Sequence, residues 1–428
     1  MDRRTRIKAR LFHATVAAAW IACPWTAQAQ ATTATAASEA PATVMNLKQA
    51  FEAAWARQPE ARALQPRRDA ARAQRQAAQS WTPEPAALEV SNKTDRLNRN
   101  GGARELEVGV AVPLWLPGER SKSAALADAE GAAIESRATA AQLRVAATVR
   151  EAWWQWQRAR IEADSARDQL DNTRRIAADV ARRTKAGDLA RADQHQADGA
   201  VAAAESGLAQ AEAGLAAAQQ HLRALAGRAP VASDAANAAE ELPTPAASGE
   251  ADAHAALQEL KDRATVAERT AALAATQSHA NPELMLATTR NRGAIGEASQ
   301  QTITLGVRIP FGGGPRHDAR SANARAEATE AQAQLALERE RLGAEREAAR
   351  VRVDASRTQL AAAERRALLA RESRGFFDKS FRLGETDLPT RLRIEVEAAE
   401  AERQAARTRL ELAAAISAWR QALGLLPQ

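Results

Sequence analysis

The sequence predicts a mainly α-helical protein with a membrane β-barrel part, in which a unit of strand, strand and long helical hairpin occurs twice. Three observations predict this. The first is an internal repeat at a spacing of 197 residues: Gly109, Val110, Pro113, Ala125, Ala127, Ala129 and Glu130 recur as Gly306, Val307, Pro310, Ala322, Ala324, Ala326 and Glu327. The same offset carries Gly187 onto Gly384 and Gly227 onto Gly424. The second is a set of long, proline-poor limbs dominated by Ala, Leu, Arg, Glu and Gln, all good helix formers. The third is clean alternation of apolar and polar residues over eight to ten positions ahead of each limb, the period of a strand with two unlike faces.

The elements follow in chain order. Residues 1–29 read as a secretory signal peptide. Arg3, Arg4, Arg6, Lys8 and Arg10 form its basic region, Leu11–Trp25 is a short apolar stretch, and Ala27-Gln28-Ala29 is a small-x-small cleavage signal. The first repeat spans residues 30–227. Asn46–Ser80 reads as helix, broken near Gln58-Pro59-Glu60 because proline donates no amide and restricts the residue before it. Strands are predicted at about 87–93 and 104–113, joined by the polar Thr94–Gly102 loop. Leu106, Val108, Val110 and Val112 take one face, Glu105 and Glu107 the other. A helical limb then runs from Pro113 to Gly187 and returns over Asp188–Ala226, with its tip near residue 187. At the α-helical rise these limbs reach roughly 100 Å and roughly 60 Å. The segment 228–254, rich in Pro, Ala, Ser and Gly, reads as a linker. The second repeat, 255–428, has strands at about 283–290 and 301–310, then limbs over Pro315–Arg382 and Glu385–Leu423 with a tip near 384.

Composition narrows the function. The chain has 59 Lys and Arg against 53 Asp and Glu, a formal charge of +6. Residues 1–29 carry five of the bases and one acid, so the charge falls to about +2 once they are removed, and the basic balance is no argument for nucleic acid. The one cysteine, Cys23, lies in the leader, leaving no thiolate site beyond it. His195, His221, His254, His279 and His317 are scattered and not at ligand spacing. No nucleophile–base pair or Gly-rich phosphate loop points to an enzyme, and no metal or cofactor is expected.

Four strands cannot close a barrel, and open edges cannot face lipid, where each unpaired backbone group costs several kcal/mol. Two chains would give eight strands and three would give twelve. In either case the apolar alternates face lipid, while Glu89, Glu105, Glu107, Thr302, Thr304 and Arg308 face a wet lumen. The alanine-crowded helices bury little area as lone hairpins, which also argues for assembly.

The Gly-Val-x-[Val/Ile]-Pro strand ends, the duplicated hairpins, the Asn-Leu-x-x-Ala-x-x-x-Ala opening with Gln58-Pro59-Glu60, and the Phe381-Arg-Leu-Gly384 turn followed by Leu388 and Leu392 resemble the TolC family of outer-membrane efflux ducts. Within it the chain resembles the CzcC-like branch that serves heavy-metal resistance–nodulation–division (RND) pumps. The resemblance covers about residues 45–427. It implies a homotrimer with a twelve-stranded barrel in outer-membrane lipid and an α-helical tunnel through the periplasm of a Gram-negative cell. It implies a passive duct, coupled through a periplasmic adaptor (a membrane fusion protein) to an inner-membrane RND pump and carrying heavy-metal cations. It also implies that Lys185, Ala186, Gly187, Asp188 and Leu189, with Arg382, Leu383, Gly384, Glu385 and Thr386, face the adaptor. Asp193 stands where the family constricts the tunnel. The second copy departs from that pattern with Thr390 at the matching position and Arg393 three further on, and Thr184 stands where Phe381 keeps the family's aromatic. The competing readings are a drug-efflux or type I secretion duct of the same fold, and a periplasmic coiled-coil adaptor or structural protein.

Overall fold

The computed structural model describes residues 45–98, 100–230, 240–243, 253–312 and 314–428. The predicted signal peptide and most of the predicted linker lie outside the described residues. The elements run α1 (Leu47–Arg57), α2 (Pro59–Ala78), β1 (Ala87–Thr94), β2 (Arg104–Pro113), α3 (Glu119–Ala186), α4 (Arg191–Ala226), α5 (Ala255–Thr276), β3 (Glu283–Arg292), β4 (Gln300–Arg308), α6 (Gly314–Arg382) and α7 (Leu388–Ala422).

The break between α1 and α2 falls at Gln58, whose extended backbone (ψ 140°) precedes Pro59 at the first helical position. Asn46 starts α1 with a reciprocal cap: its Oδ1 accepts from Gln49 N–H at 2.8 Å, and Gln49 Oε1 accepts from Asn46 N–H at 3.1 Å.

Four expected boundaries are corrected. Helix α3 starts at Glu119, not Pro113, because Pro117 and Gly118 (φ +78°) make a turn first. Buried Glu119 closes that turn by accepting from Leu116 N–H at 3.0 Å. Strand β4 stops at Arg308, short of Ile309 and Pro310, because Arg308 already pairs with Glu283, the first residue of β3. The return limbs begin at Arg191 and Leu388, three residues later than read from sequence, since the turn residues themselves are not helical.

Helix α5 is an element the sequence reading left out. Shifted by the 197-residue offset it lies over α2, so the repeat unit is helix, strand, strand, hairpin. α5 packs between α3 and α6, and α2 lies along α3.

The four strands form one antiparallel sheet in the order β1-β2-β3-β4, so β2 and β3, from different repeats, pair at its centre. The main core sits beneath it around mid-α3. Trp153, Trp154 and Trp156 are buried there with Phe51 of α1 and Leu222 of α4. Trp153 and Trp156 meet edge to face at 5.1 Å between ring centroids.

The expected linker has a fixed point. Glu240 is buried between Arg150 (2.8 Å) and Arg420 (3.3 Å) and accepts from Ser417 Oγ. Two guanidiniums and a hydroxyl satisfy this carboxylate, which makes its burial tolerable. Glu240 thereby ties the predicted linker 228–254 to α3 and α7.

Candidate functional site

The strand register sorts the sheet's side chains into two unlike faces. On one face, Leu88 stands beside Val110, then Leu286, then Leu305; the next row is Val90, Val108, Thr288 and Ile303. The aliphatic side chains of these rows are exposed, Ile303 at 77% and Leu88 at 71%. The other face holds Glu89, Glu105, Glu107, Thr302, Thr304 and Arg308, all six of the predicted lumen residues. Its charges are partly internally paired: Lys93 with Glu105 at 2.7 Å and Arg308 with Glu283 at 3.1 Å. It is also the more covered face at the sheet's centre, where Gly109, Ala111 and Ala287 are buried. A Cβ on Gly109 would stand 3.0 Å from that of Ala287, so small residues let β2 and β3 close up on this side.

Where the sheet joins the helices, Trp81 and Phe311 are almost fully exposed, at 95% and 94%. Among the described residues no helix is long and apolar enough to cross a membrane.

At the far end of the helices the two copies build the same turn. Gly187 (φ +92°) and Gly384 (φ +79°) sit in the left-handed region. Asp188 N–H reaches Arg183 O at 2.9 Å, and Glu385 N–H reaches Ser380 O at 3.0 Å, so the last carbonyls of both long helices are satisfied alike. Lys185, Ala186, Gly187 and Asp188 are exposed, as are Arg382, Leu383, Gly384 and Glu385, whereas Leu189 and Thr386 are half-buried. Thr386 shares a 2.6 Å hydrogen bond with Ser380, and Leu189 packs against the core above the tips.

Asp193 and Arg393 already have local partners. Asp193 Oδ2 accepts from Ala190 N–H at 3.0 Å and caps α4. In the second copy the carboxylate has moved to the cap position itself: Asp387 Oδ1 accepts from Thr390 N–H at 3.2 Å. The offset maps Ala190 onto Asp387 and Asp193 onto Thr390, so each return helix has one acid at its start, placed differently. The Thr390 side chain and amide together hold the Asp387 carboxyl below its ordinary range. Arg393 pairs with Glu397 at 2.7 Å on an exposed face.

Sequence reading missed a clamp just above the tips. Phe381 of α6 is buried, with the Arg183 guanidinium of α3 at 4.9 Å from its ring centroid and that of Arg391 of α7 at 4.6 Å. Arg391 pairs with Asp378 at 2.6 Å and approaches Asp179 of α3 at 3.9 Å. Ile176, Val180, Ala197 and Leu388 complete this core, so both hairpins meet at Phe381. Higher up, Asn172 of α3 donates to Glu395 of α7, and burial raises the Glu395 carboxyl despite Arg374 and Arg391 nearby. The conspicuous aromatic at 381 was legible; of its two cationic partners, Arg391 lies ten residues on across the turn and Arg183 lies in the other repeat, and neither left a local signal.

Residues 50–228 match the profile of the Outer membrane efflux protein family. The solved outer membrane protein VceC from Vibrio cholerae covers 88% of this chain and 96% of its own, with 18% identity and a TM-score of 0.68. The Campylobacter jejuni CmeC outer membrane channel covers 89% and 85%, with 14% identity and a TM-score of 0.71. CusC, described for transmembrane channel formation, covers 90% and 93%, with 16% identity and a TM-score of 0.74.

The fold is that of the outer-membrane channels.

No curated protein matches the sequence significantly.

Proposed function

We propose that this chain is the outer-membrane channel of a tripartite efflux system, a passive and non-enzymatic duct. One observation carries the reading: a four-stranded sheet with both edges open, one face apolar and exposed, the other bearing all its carboxylates. Three copies joined edge to edge make a closed cylinder of twelve strands, which removes the edges that lipid forbids. Leu88, Val90, Val108, Val110, Leu286, Ile303 and Leu305 then face lipid, and Glu89, Glu105, Glu107, Thr302, Thr304 and Arg308 line the bore. Trp81 and Phe311 sit at the headgroup level nearest the helices, where aromatic rings are favoured. The hairpins extend into the periplasm as the tunnel wall.

The same reading assigns the exposed tip residues 185–188 and 382–385 to contact with a periplasmic adaptor. Asp193 and Arg393, one of each per subunit, stand at the tunnel's narrow end, with Asp193 also capping its helix. The cargo assignment, heavy-metal cations moved by an RND pump, rests on the CzcC-like motifs of the sequence. A drug-efflux duct is the second reading, supported by the shared fold.

Planar-bilayer recording of the purified full chain tests the duct itself: stepwise conductance is expected, and a protein that never inserts defeats it. For cargo, a deletion strain should lose tolerance to zinc, cobalt, cadmium or copper. Unchanged metal tolerance with new drug sensitivity would move the assignment to drugs.

A further inference from the structure

The apolar face of the sheet ends in arginine. Following the register toward the β1–β2 and β3–β4 loops, the row Leu88, Val110, Leu286, Leu305 is followed by Val90, Val108, Thr288, Ile303 and then by Asn92, Leu106, Arg290, Gln301. The last row pairs Thr94 with Arg104 and Arg104 with Arg292. Three arginines thus occupy two successive rows of the central strands, on the same face as the aliphatic side chains. Arg104 and Arg290 are exposed and Arg292 half-exposed.

Among the described residues no carboxylate pairs with them. The sheet's carboxylates, Glu89, Glu105, Glu107 and Glu283, all point to the opposite face. Of the loop acids, Glu297 accepts from Gly293 N–H at 3.1 Å. The one polar contact of the cluster's guanidiniums among the described residues is Arg292 Nε donating to Gly102 O at 3.3 Å. Arg104 and Arg292 stand directly opposite each other, a like-charge pair that is unfavourable without an anion between or above them. The contrast with the polar face is direct, since Lys93 and Arg308 there each have a carboxylate.

We infer that Arg104, Arg290 and Arg292 form a binding site for the phosphate groups of an anionic lipid headgroup in the outer leaflet. The inference rests on the barrel reading above, which puts the loop end of the strands at the outer surface. Phosphate suits the chemistry, because guanidinium forks offer it paired N–H donors. A lipid, rather than free phosphate, suits the placement. The arginines cap an aliphatic face, so a molecule with acyl chains on Leu106, Val108 and Leu286 presents its headgroup at their level. Arg290 lies four residues from Leu286, about 13 Å at the strand rise, which spans the step from acyl region to headgroup.

The test uses the full chain in phosphatidylcholine nanodiscs containing bis-phosphorylated lipid A, dephosphorylated lipid A or neither. Retained lipid is counted by native mass spectrometry. Each arginine near an anionic surface is worth about five-fold in affinity. The wild-type chain should therefore retain the phosphorylated lipid at least about ten-fold better than its dephosphorylated form, a comparison that needs no mutation. The triple variant R104Q/R290Q/R292Q should lose that preference, and K93Q on the opposite face should keep it. A wild-type chain that inserts and conducts without distinguishing the two lipids overturns the inference, as does a triple variant that inserts and retains the preference. Displacement by equimolar inorganic phosphate overturns the lipid assignment. A chain that fails to enter any of the discs ends the barrel reading and this inference together.

Discussion

The two long helices, α3 and α6, are copies of one another and are used differently. They are 68 and 69 residues long and end in the same turn. Yet α3 has about twice as many buried side chains, because α1, α2, α4, α5 and α7 all pack against it, whereas α6 has α5 and α7. The repeat offset makes the contrast specific. Trp154 of α3 is 5% exposed, and its counterpart, Val351 of α6, is 54% exposed. Leu337, Leu368, Leu369 and Phe376 of α6 are likewise exposed. Duplication supplied one backbone twice; the first copy became the interior of the subunit, and the second kept an apolar stripe that a neighbouring subunit covers in the proposed trimer.

The largest break in this comparison is expected at the mid-α3 core. Trp153→Ala removes an indole that is 1% exposed and should cost about 3–5 kcal/mol, read as a lowered midpoint in denaturant. Val351→Asp should leave the subunit's helicity intact and instead lower the yield of trimer on native gels. A subunit that unfolds on V351D and tolerates W153A would reverse the assignment of the two copies.

Glu240→Ala is nearly as large, since it leaves Arg150 and Arg420 buried without their carboxylate, a loss of about 3–5 kcal/mol. Thermal melts of the variant in detergent check it. Next come the tips. Gly187→Ala and Gly384→Ala each force an L side chain into positive φ, costing about 1–2 kcal/mol. Because no atom lies within 4 Å of either added Cβ, the two effects should be alike. A large inequality would mean that one tip is held by something the other lacks.

A smaller effect concerns pH and the first residues of α5. His254 is buried, and its Nδ1 accepts from Ala256 N–H at 3.2 Å, so the neutral ring is the one that fits. Burial chiefly lowers its pKa, with Arg346 acting the same way against Glu338 and Glu345. A depressed imidazole pKa means the unfolded chain takes up protons first as pH falls. Its stabilising contribution is therefore complete above the ordinary value of about 6.5 and declines below it. His254→Asn keeps a capping side chain and should flatten that decline; an unchanged pH profile would assign the effect elsewhere.

Much of this architecture was readable before any coordinates. The period-two alternation placed all six polar strand residues on one face, because a strand has only two faces and the register follows from them. The positive-φ turns at Gly187 and Gly384 were legible because glycine is the residue such turns require. Helix α5 was also within reach: residues 58–79 carry the α2 pattern, and the offset that matched the strands matches these too. Glu240 was not readable. One acid in a Pro- and Ala-rich stretch has no local signature, and its meaning comes from Arg150 and Arg420, far off in the chain. The Phe381 clamp is similar, since Arg183 and Arg391 converge only once the two hairpins pack.

The open-edged sheet carries the whole account, and the number of copies that close it is the most direct measurement. Native mass spectrometry of the full chain extracted in detergent should give particles of three subunits that stay together until the sheet unfolds. A chain that remains a single, water-soluble copy without surfactant would contradict it.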